Sequence, residues 1–592
     1  MIRIGNCSGF YGDRLSAMRE MLEGGDLDVL TGDYLAELTM LILSRDRLAD
    51  DAMGYVPTFV AQLRDCLRLA LDRQVRIVTN AGGVNPAALV AAIRSLAADQ
   101  GLSPTVALVR GDELGPGDHA YLGAFGIARA MAADIVVTGR VTDASLVIGP
   151  AIAHFGWDQF ALDQLAGATV AGHVLECGTQ ATGGNYPFFT EISDLAAPGF
   201  PIAEISPDGS SVITKHSGTG GAVTVGTVTA QLMYEVQDAR YAGPDVTTRL
   251  DSISLRQVGT DRVAISGVRG EPPPPELKVS RTRVGGYRNE VTVVLTGLDV
   301  EAKAGLFRRQ FEAGLPTRPA ELTWTLARVD AADAPTQQQA SALLTVVGRD
   351  TSRPVVDRAF SNAAVQVALG SYPGFFATTP PGSAHPYGVF TAGYVPQDSV
   401  AHEVVLDDGT VARIPPPPVF SQDPAVGPQT APTPSWVGPS IPPGTDNSEP
   451  SSTAGIAPAS DPSTAGIAPA SDPPTGAEQT RRLPLGTIAG ARSGDKGGDA
   501  NIGIWVRRPD AYLWLENLIC EETVRELLPE TAGKKLHLTR LPNLLAVNIV
   551  IEGLLGEGVA YQARFDPQAK GLAEWLRSRH VDIPVSLLEE SR

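Results

Sequence analysis

Cysteine is scarce. The chain of 592 residues has four, Cys7, Cys66, Cys177 and Cys520, and no two of them form a C-x-x-C pair. That excludes a disulfide framework or a zinc knuckle and suits a reducing cytoplasm, the expected location. Long apolar runs are also missing, and none reaches the length of a membrane span. Met1–Asn6 leads straight into a strand, with no charged-then-apolar leader. Positive charge is in deficit: 47 Lys and Arg face 66 Asp and Glu, a net charge of −19. Nucleic acid and anionic membrane are therefore not expected partners. No G-x-G-x-x-G follows a strand, which disfavours a dinucleotide cofactor. G-x-S-x-G, H-E-x-x-H and the kinase signatures are absent as well. The eight histidines form no close ligand pair, so no metal ligand is assigned and no cofactor is expected, with Mg²⁺ left open.

What is present is a repeated unit. Ile2–Ile4, Leu27–Leu30, Val75–Val78, Thr105–Val109 and Asp134–Val137 are short apolar runs rich in β-branched residues. Polar, Gly-rich loops follow each, and helical patterns at Arg14–Leu22, Tyr34–Ser44, Pro86–Ala98 and after Thr142 and Asp143 follow four of them. This spacing predicts βαβ crossovers and a parallel, Rossmann-like sheet, with all five loops on one edge. An α/β part over 1–200 would be followed by an α+β region over 201–414, where period-2 strands such as Ser211–Lys215 and Glu290–Leu295 mix with helices. The stretch 415–480 is dense in Pro, Ser, Ala and Gly and holds an 11-residue tandem repeat at 452–462 and 463–473, so it reads as a disordered linker. The element order over 481–592 suits a small ferredoxin-like α/β sandwich.

Four constellations carry candidate chemistry. The shared loop edge offers Asp13, Asp33 and Asp143 as acids, Arg140 as an anion clamp, and Asn80 and Asn85 as neutral hydrogen-bonding groups. Helix capping competes for Asp33 and Asp143 but does not account for Arg140. Glu176 is a candidate base among glycines, beside Cys177 as a candidate nucleophile and Asn185. The turn Lys215–Gly221, with Lys215, Gly218, Gly220 and Gly221, feeds a helical stretch over Val225–Val236 and could present backbone N–H groups to an anion. Finally, Arg492-Ser493-Gly494-Asp495-Lys496-Gly497-Gly498-Asp499-Ala500-Asn501 reads as a binding loop between two strands.

The motifs Gly5–Asp13, Gly32–Met40, Asn80–Pro86, Thr138–Asp143 and Glu176–Asn185 together resemble the acyclic terpene utilisation protein AtuA family. The loop Arg492–Asn501 resembles the ferredoxin-fold domain that accompanies it. The resemblance implies catabolism of acyclic isoprenoids whose acids are handled as CoA thioesters, but it carries no catalytic assignment. The expected function is an acid–base lyase or hydratase on a branched acyl-CoA. Asp143 or Glu176 would be the base, with Asp33 and Cys177 as further catalytic candidates. Arg140, the Lys215–Gly221 turn and the Arg492–Asn501 loop would hold the substrate. A non-catalytic subunit or a metal-dependent hydrolase are the alternatives. The expected assembly is a homo-oligomer, in which a neighbour completes the loop-rich site.

Overall fold

The computed structural model of the protein describes residues 1–422 and 479–588. Both copies of the tandem repeat and most of the expected linker lie outside these residues. Five strands form the parallel heart: β1 (Ile2–Asn6), β2 (Val29–Gly32), β3 (Arg76–Thr79), β4 (Val106–Arg110) and β5 (Ile135–Thr138). They lie in the order β1-β2-β3-β5-β4, with Ile4 beside Val29, Leu30 beside Ile77, Ile77 beside Ile135 and Val137 beside Leu108. Helices cover both faces, and the buried runs are continuously apolar for that reason.

The sheet does not stop at residue 200. Pro201–Ile205 pairs antiparallel with β1, Ser211–Lys215 and Ser254–Ser266 continue outward, and Glu403–Arg413 closes the far edge against β4. Eleven strands therefore form one sheet across the expected boundary between 200 and 201. The start of the expected linker also packs on this body, where Ser421 N donates to Pro273 O at 2.8 Å.

A second sheet is built on one 21-residue strand, Glu276–Thr296. Its first part pairs with Asp118–Ala120, and its last part pairs with Ser341–Asp350. Two helices lie beyond those that the sequence patterns mark. Pro57–Asp72 is one, burying Phe59, Leu63, Leu67 and Ala70 on one face. Leu162–Glu176 is the other, and its glycines mark close packing: a Cβ on Gly172 would lie 2.8 Å from the Ala144 carbonyl oxygen. Of the helices expected in this region, one is interrupted at Asp357, giving Arg353–Val356 and Arg358–Val365.

The C-terminal body is a four-stranded antiparallel sheet, ordered Ala489–Lys496, Asp499–Val506, Ala546–Ile551, Leu536–Leu541, with helices on one face. Alternation sends Ala491, Ile502 and Ile504 to the helices. The same alternation turns Trp505 and Ala546 to the main core. On this second face Gly503 leaves no room for a side chain, because a Cβ would meet the Met233 carbonyl oxygen at 2.7 Å. Asn501 accepts from Glu235 N at 3.0 Å and donates to Val236 O at 3.1 Å, and Asn548 donates to the same carbonyl at 3.0 Å. Among the described residues no helix is long and apolar enough to cross a membrane.

Asn501→Ala strands these buried partners at a cost of about 1–3 kcal/mol. Hydrogen exchange is expected to rise at residues 235–237 first, measured against an unchanged parallel sheet.

Candidate active site

All five parallel strands end on one edge, and their loops converge there. Thr79 ends β3, and the next residue, Asn80, is fully buried. Its side chain accepts from Tyr34 N at 2.9 Å and donates to Asp33 at 2.6 Å. Asp33 is thereby fixed, but it is not a helix cap: the helix Glu37–Ala49 begins after Ala36 with no side-chain cap. Burial, reinforced by the charge of Asp143, pushes the Asp33 carboxyl well above the ordinary range, against the pull of Asn80 and Arg140.

Arg140 follows β5 and is 3% exposed. Its backbone N–H donates to Asp112 at 2.9 Å, and that carboxylate also meets His119 Nδ1 at 3.2 Å. Nη1 donates to Leu35 O at 3.2 Å and to Asp143 at 2.9 Å, while the guanidinium lies 4.2 Å from the centre of the Tyr121 ring. Asp143 is likewise no cap, since the helix Ser145–Phe155 starts at Ala144 without a side-chain bond. Burial pushes Asp143 up to about 7; Arg140 opposes this, and the charges of Glu176, Glu235 and Glu37 add to it.

The helix Leu162–Glu176 brings its last turn to the same place. His173 Nδ1 lies 2.9 Å from Glu176 Oε1, and Gln231 donates to the His173 carbonyl at 3.1 Å. Burial disfavours a charged His173, yet the adjacent Glu176 carboxylate raises it overall. Three polar atoms here are buried without a partner: Arg140 Nε, His173 Nε2 and Glu176 Oε2. Glu235 approaches from the segment after Val225–Leu232, with a left-handed backbone at φ 60°. Cys177 sits at this edge, but burial and the charges of Glu235 and Glu176 raise its thiol well above the usual range. These surroundings favour the thiol over a nucleophilic thiolate.

The ten-residue stretch 492–501 is a hairpin rather than a loop. Strand pairing runs to Lys496 and resumes at Asp499, which puts Asp495 and Lys496 at the tip, where the charges of Glu235 and Glu37 act on both. Burial and the charges of Glu235 and Glu37 push Asp495 up to about 7, with Lys570 opposing. Arg492 donates to Asn185 O at 2.8 Å and to Gln180, so it joins the two bodies.

Other candidates have structural duties. Asn85 caps its helix, accepting from Ala88 N at 3.3 Å, and Asp13 accepts from Gly9 N at 2.6 Å. Asn185 is exposed and offers its carbonyl to Arg492. Ser493 accepts from Ala573 N at 2.9 Å, Asp499 accepts from Gly553 N at 2.7 Å, and Asn501 belongs to the interface. The Lys215–Gly221 turn spends Lys215 and two of its three candidate glycine N–H groups on the protein's own acceptors, which argues against an anion cradle. Lys215 donates to Thr219 O at 2.8 Å and pairs with Asp261 at 3.2 Å. Gly220 N and Gly221 N donate to Ala197 O and Asp194 O, and Gly218 is an open turn residue. The helix beyond is Val225–Leu232 and has its own cap, Thr224.

Sequence reading missed Glu37, Asp112, Tyr121, His173, Glu235, Tyr241 and Lys278. Only His173 carried a local signal, standing three residues before Glu176 on a helix. Among the described residues no group of three or more His, Cys, Asp or Glu side chains is arranged to hold a metal ion.

Residues 2–119 and 117–406 match the family described as acyclic terpene utilisation family protein AtuA, and residues 483–582 match the AtuA ferredoxin-like domain. No curated protein matches the chain. The solved S. aureus homoserine dehydrogenase is similar at 10% identity, covering 62% of this chain and 82% of that one, with a TM-score of 0.14; so slight a likeness bears on neither fold nor function.

The raised Asp143 makes the folded chain hold more protons than the unfolded one from the ordinary Asp value of 3.8 up towards about 7. Its contribution to stability therefore falls as pH rises through that window. Asp143→Asn cannot ionise, and denaturant midpoints between pH 4 and 7 are expected to decline less steeply than in the unsubstituted protein.

Proposed function

The chain belongs to the acyclic terpene utilisation AtuA family, and we propose on that premise that it is an acid–base lyase or hydratase acting on a branched acyl-CoA. Membership implies a role in acyclic terpene utilisation; the reaction type is our reading of the cleft. The observation that carries it is the set of unpartnered buried atoms on Arg140, His173 and Glu176. Native structures rarely leave such atoms unsatisfied, and a ligand satisfies them at little further desolvation.

In this reading Asp143 exchanges the proton at the carbon next to the thioester carbonyl. A group that titrates near neutrality suits both taking and returning a proton. Arg140, held by Asp112 and the Tyr121 ring, faces the thioester oxygen, where negative charge grows as the proton leaves. Glu176, oriented by His173, carries the second proton, to or from the hydroxyl that is added or eliminated. Asp33, raised by burial and held by Asn80, shapes the charge around Asp143 rather than serving as the base. The thiol of Cys177 takes no covalent part. A non-catalytic subunit would have no use for these converging atoms, and a metal-dependent hydrolase lacks a donor set among the described residues. The proposed compartment is the cytoplasm, where the exposed Cys520 stays unpaired.

Purified protein is expected to turn over at least one member of a panel of branched enoyl- and hydroxyacyl-CoAs. Asp143→Asn should lower that rate on the order of 10²–10⁴-fold with circular dichroism unchanged. A folded, unsubstituted protein that converts nothing in the panel refutes the reading.

A further inference from the structure

Two ammonium groups reach the cleft from opposite bodies. Lys278 stands on the long strand Glu276–Thr296, and Lys496 stands at the tip of the C-terminal hairpin. Lys278 Nζ lies 4.8 Å from the centre of the Tyr121 ring and 5.7 Å from that of Phe390. It forms a long ion pair with Glu37 at 3.9 Å, beyond hydrogen-bond distance, and the same carboxylate also feels Lys496. Lys496 Nζ lies 5.8 Å from the centre of the Tyr241 ring. Among the described residues no hydrogen bond or ion pair engages it.

Phe390 joins the two lysines. A Cβ on Gly497, the residue after Lys496, would lie 3.3 Å from the Phe390 ring that Lys278 covers. The hairpin tip is held in place: Lys496 pairs in register with Asp499, and Arg492 and Asn501 of the same hairpin bind the main body. Burial, and then the charge of Lys278, bring Lys496 below its ordinary value, while Glu235, Glu37 and Glu176 act in the opposite sense. Two cations that repel one another cost free energy, and an anion within reach of both recovers it. A lysine needed only for folding would be expected to reach one of those carboxylates.

We propose that Lys278 and Lys496 form a two-lysine anion site, half from each body, that takes the oxygens of a carboxylate or phosphate group on the ligand of this cleft. The site makes the C-terminal domain a constituent part of the cleft rather than an appendage. It rests on reading the cleft as a substrate site, but its test reads binding and not turnover.

Isothermal titration calorimetry on the full chain, with 3-methylbutyrate as the carboxylate and with inorganic phosphate and coenzyme A as the phosphate sources, decides it. At least one probe is expected to bind, more weakly as salt is raised. Lys278→Met and Lys496→Met should each lose about tenfold in affinity or more, while Lys496→Arg retains binding. Which probe binds names the group. No binding by any probe, or binding unchanged in both methionine variants with circular dichroism intact, overturns the proposal. Binding without turnover of any acyl-CoA sinks the acid–base reading and leaves the anion site standing.

Discussion

A guanidinium shut away from water dictates the rest of the cleft. Arg140 is 3% exposed, and burying its charge is tolerable only with acids, carbonyls and a ring face around it. Asp143, Leu35 O and Tyr121 supply these, and Asp112 fixes the backbone from behind. Gathering carboxylates for one cation creates a second problem, because Asp33, Asp143, Glu37, Glu176 and Glu235 act on one another. Burial and mutual repulsion raise Asp33 and Asp143 above the ordinary carboxylate range. Charge balance around a buried cation and groups ready for proton exchange are thus two sides of one arrangement.

Much of that arrangement was readable because the parallel sheet is periodic. Short β-branched runs followed by polar loops located five strands, and the rule that such loops share an edge brought Asp33, Asn80, Arg140 and Asp143 together across more than a hundred residues. The Lys278 and Glu235 side chains were not readable, since they reach the cleft through a second sheet and an irregular segment whose placement depends on tertiary pairing. Glycine has two uses here. In Leu162–Glu176 it lets the helix pack against Ala144. In Lys215–Gly221 it suggested an anion cradle, whereas the Gly220 and Gly221 N–H groups serve the protein's own carbonyls. Composition alone does not separate these uses, because each turns on what lies opposite the missing side chain.

The C-terminal sheet shows the same logic at larger scale. Ala489–Lys496 alternates between a face that meets its own helices and a face that meets the main body, where Gly494 abuts the Tyr234 ring and Arg492 binds Asn185. A strand buried on both sides carries little of the polar alternation that marks an exposed face, which is why its polar residues read as a loop. Arg492 and Asn501 are buried connectors between two layers, and Lys496 inherits its position from them.

The strand order has a consequence for how the chain is made. β5 lies between β3 and β4, so two strands synthesised earlier cannot close on each other until it arrives. The flanks wait longer: the edge at β1 is covered by Pro201–Ile205, and the edge at β4 by Glu403–Val405. A nascent chain that has left the ribosome only as far as residue 400 therefore carries the main body's share of the site on a sheet with one open, hydrogen-bonding border. The last strands of the main body act as its seal against association with other unfinished chains.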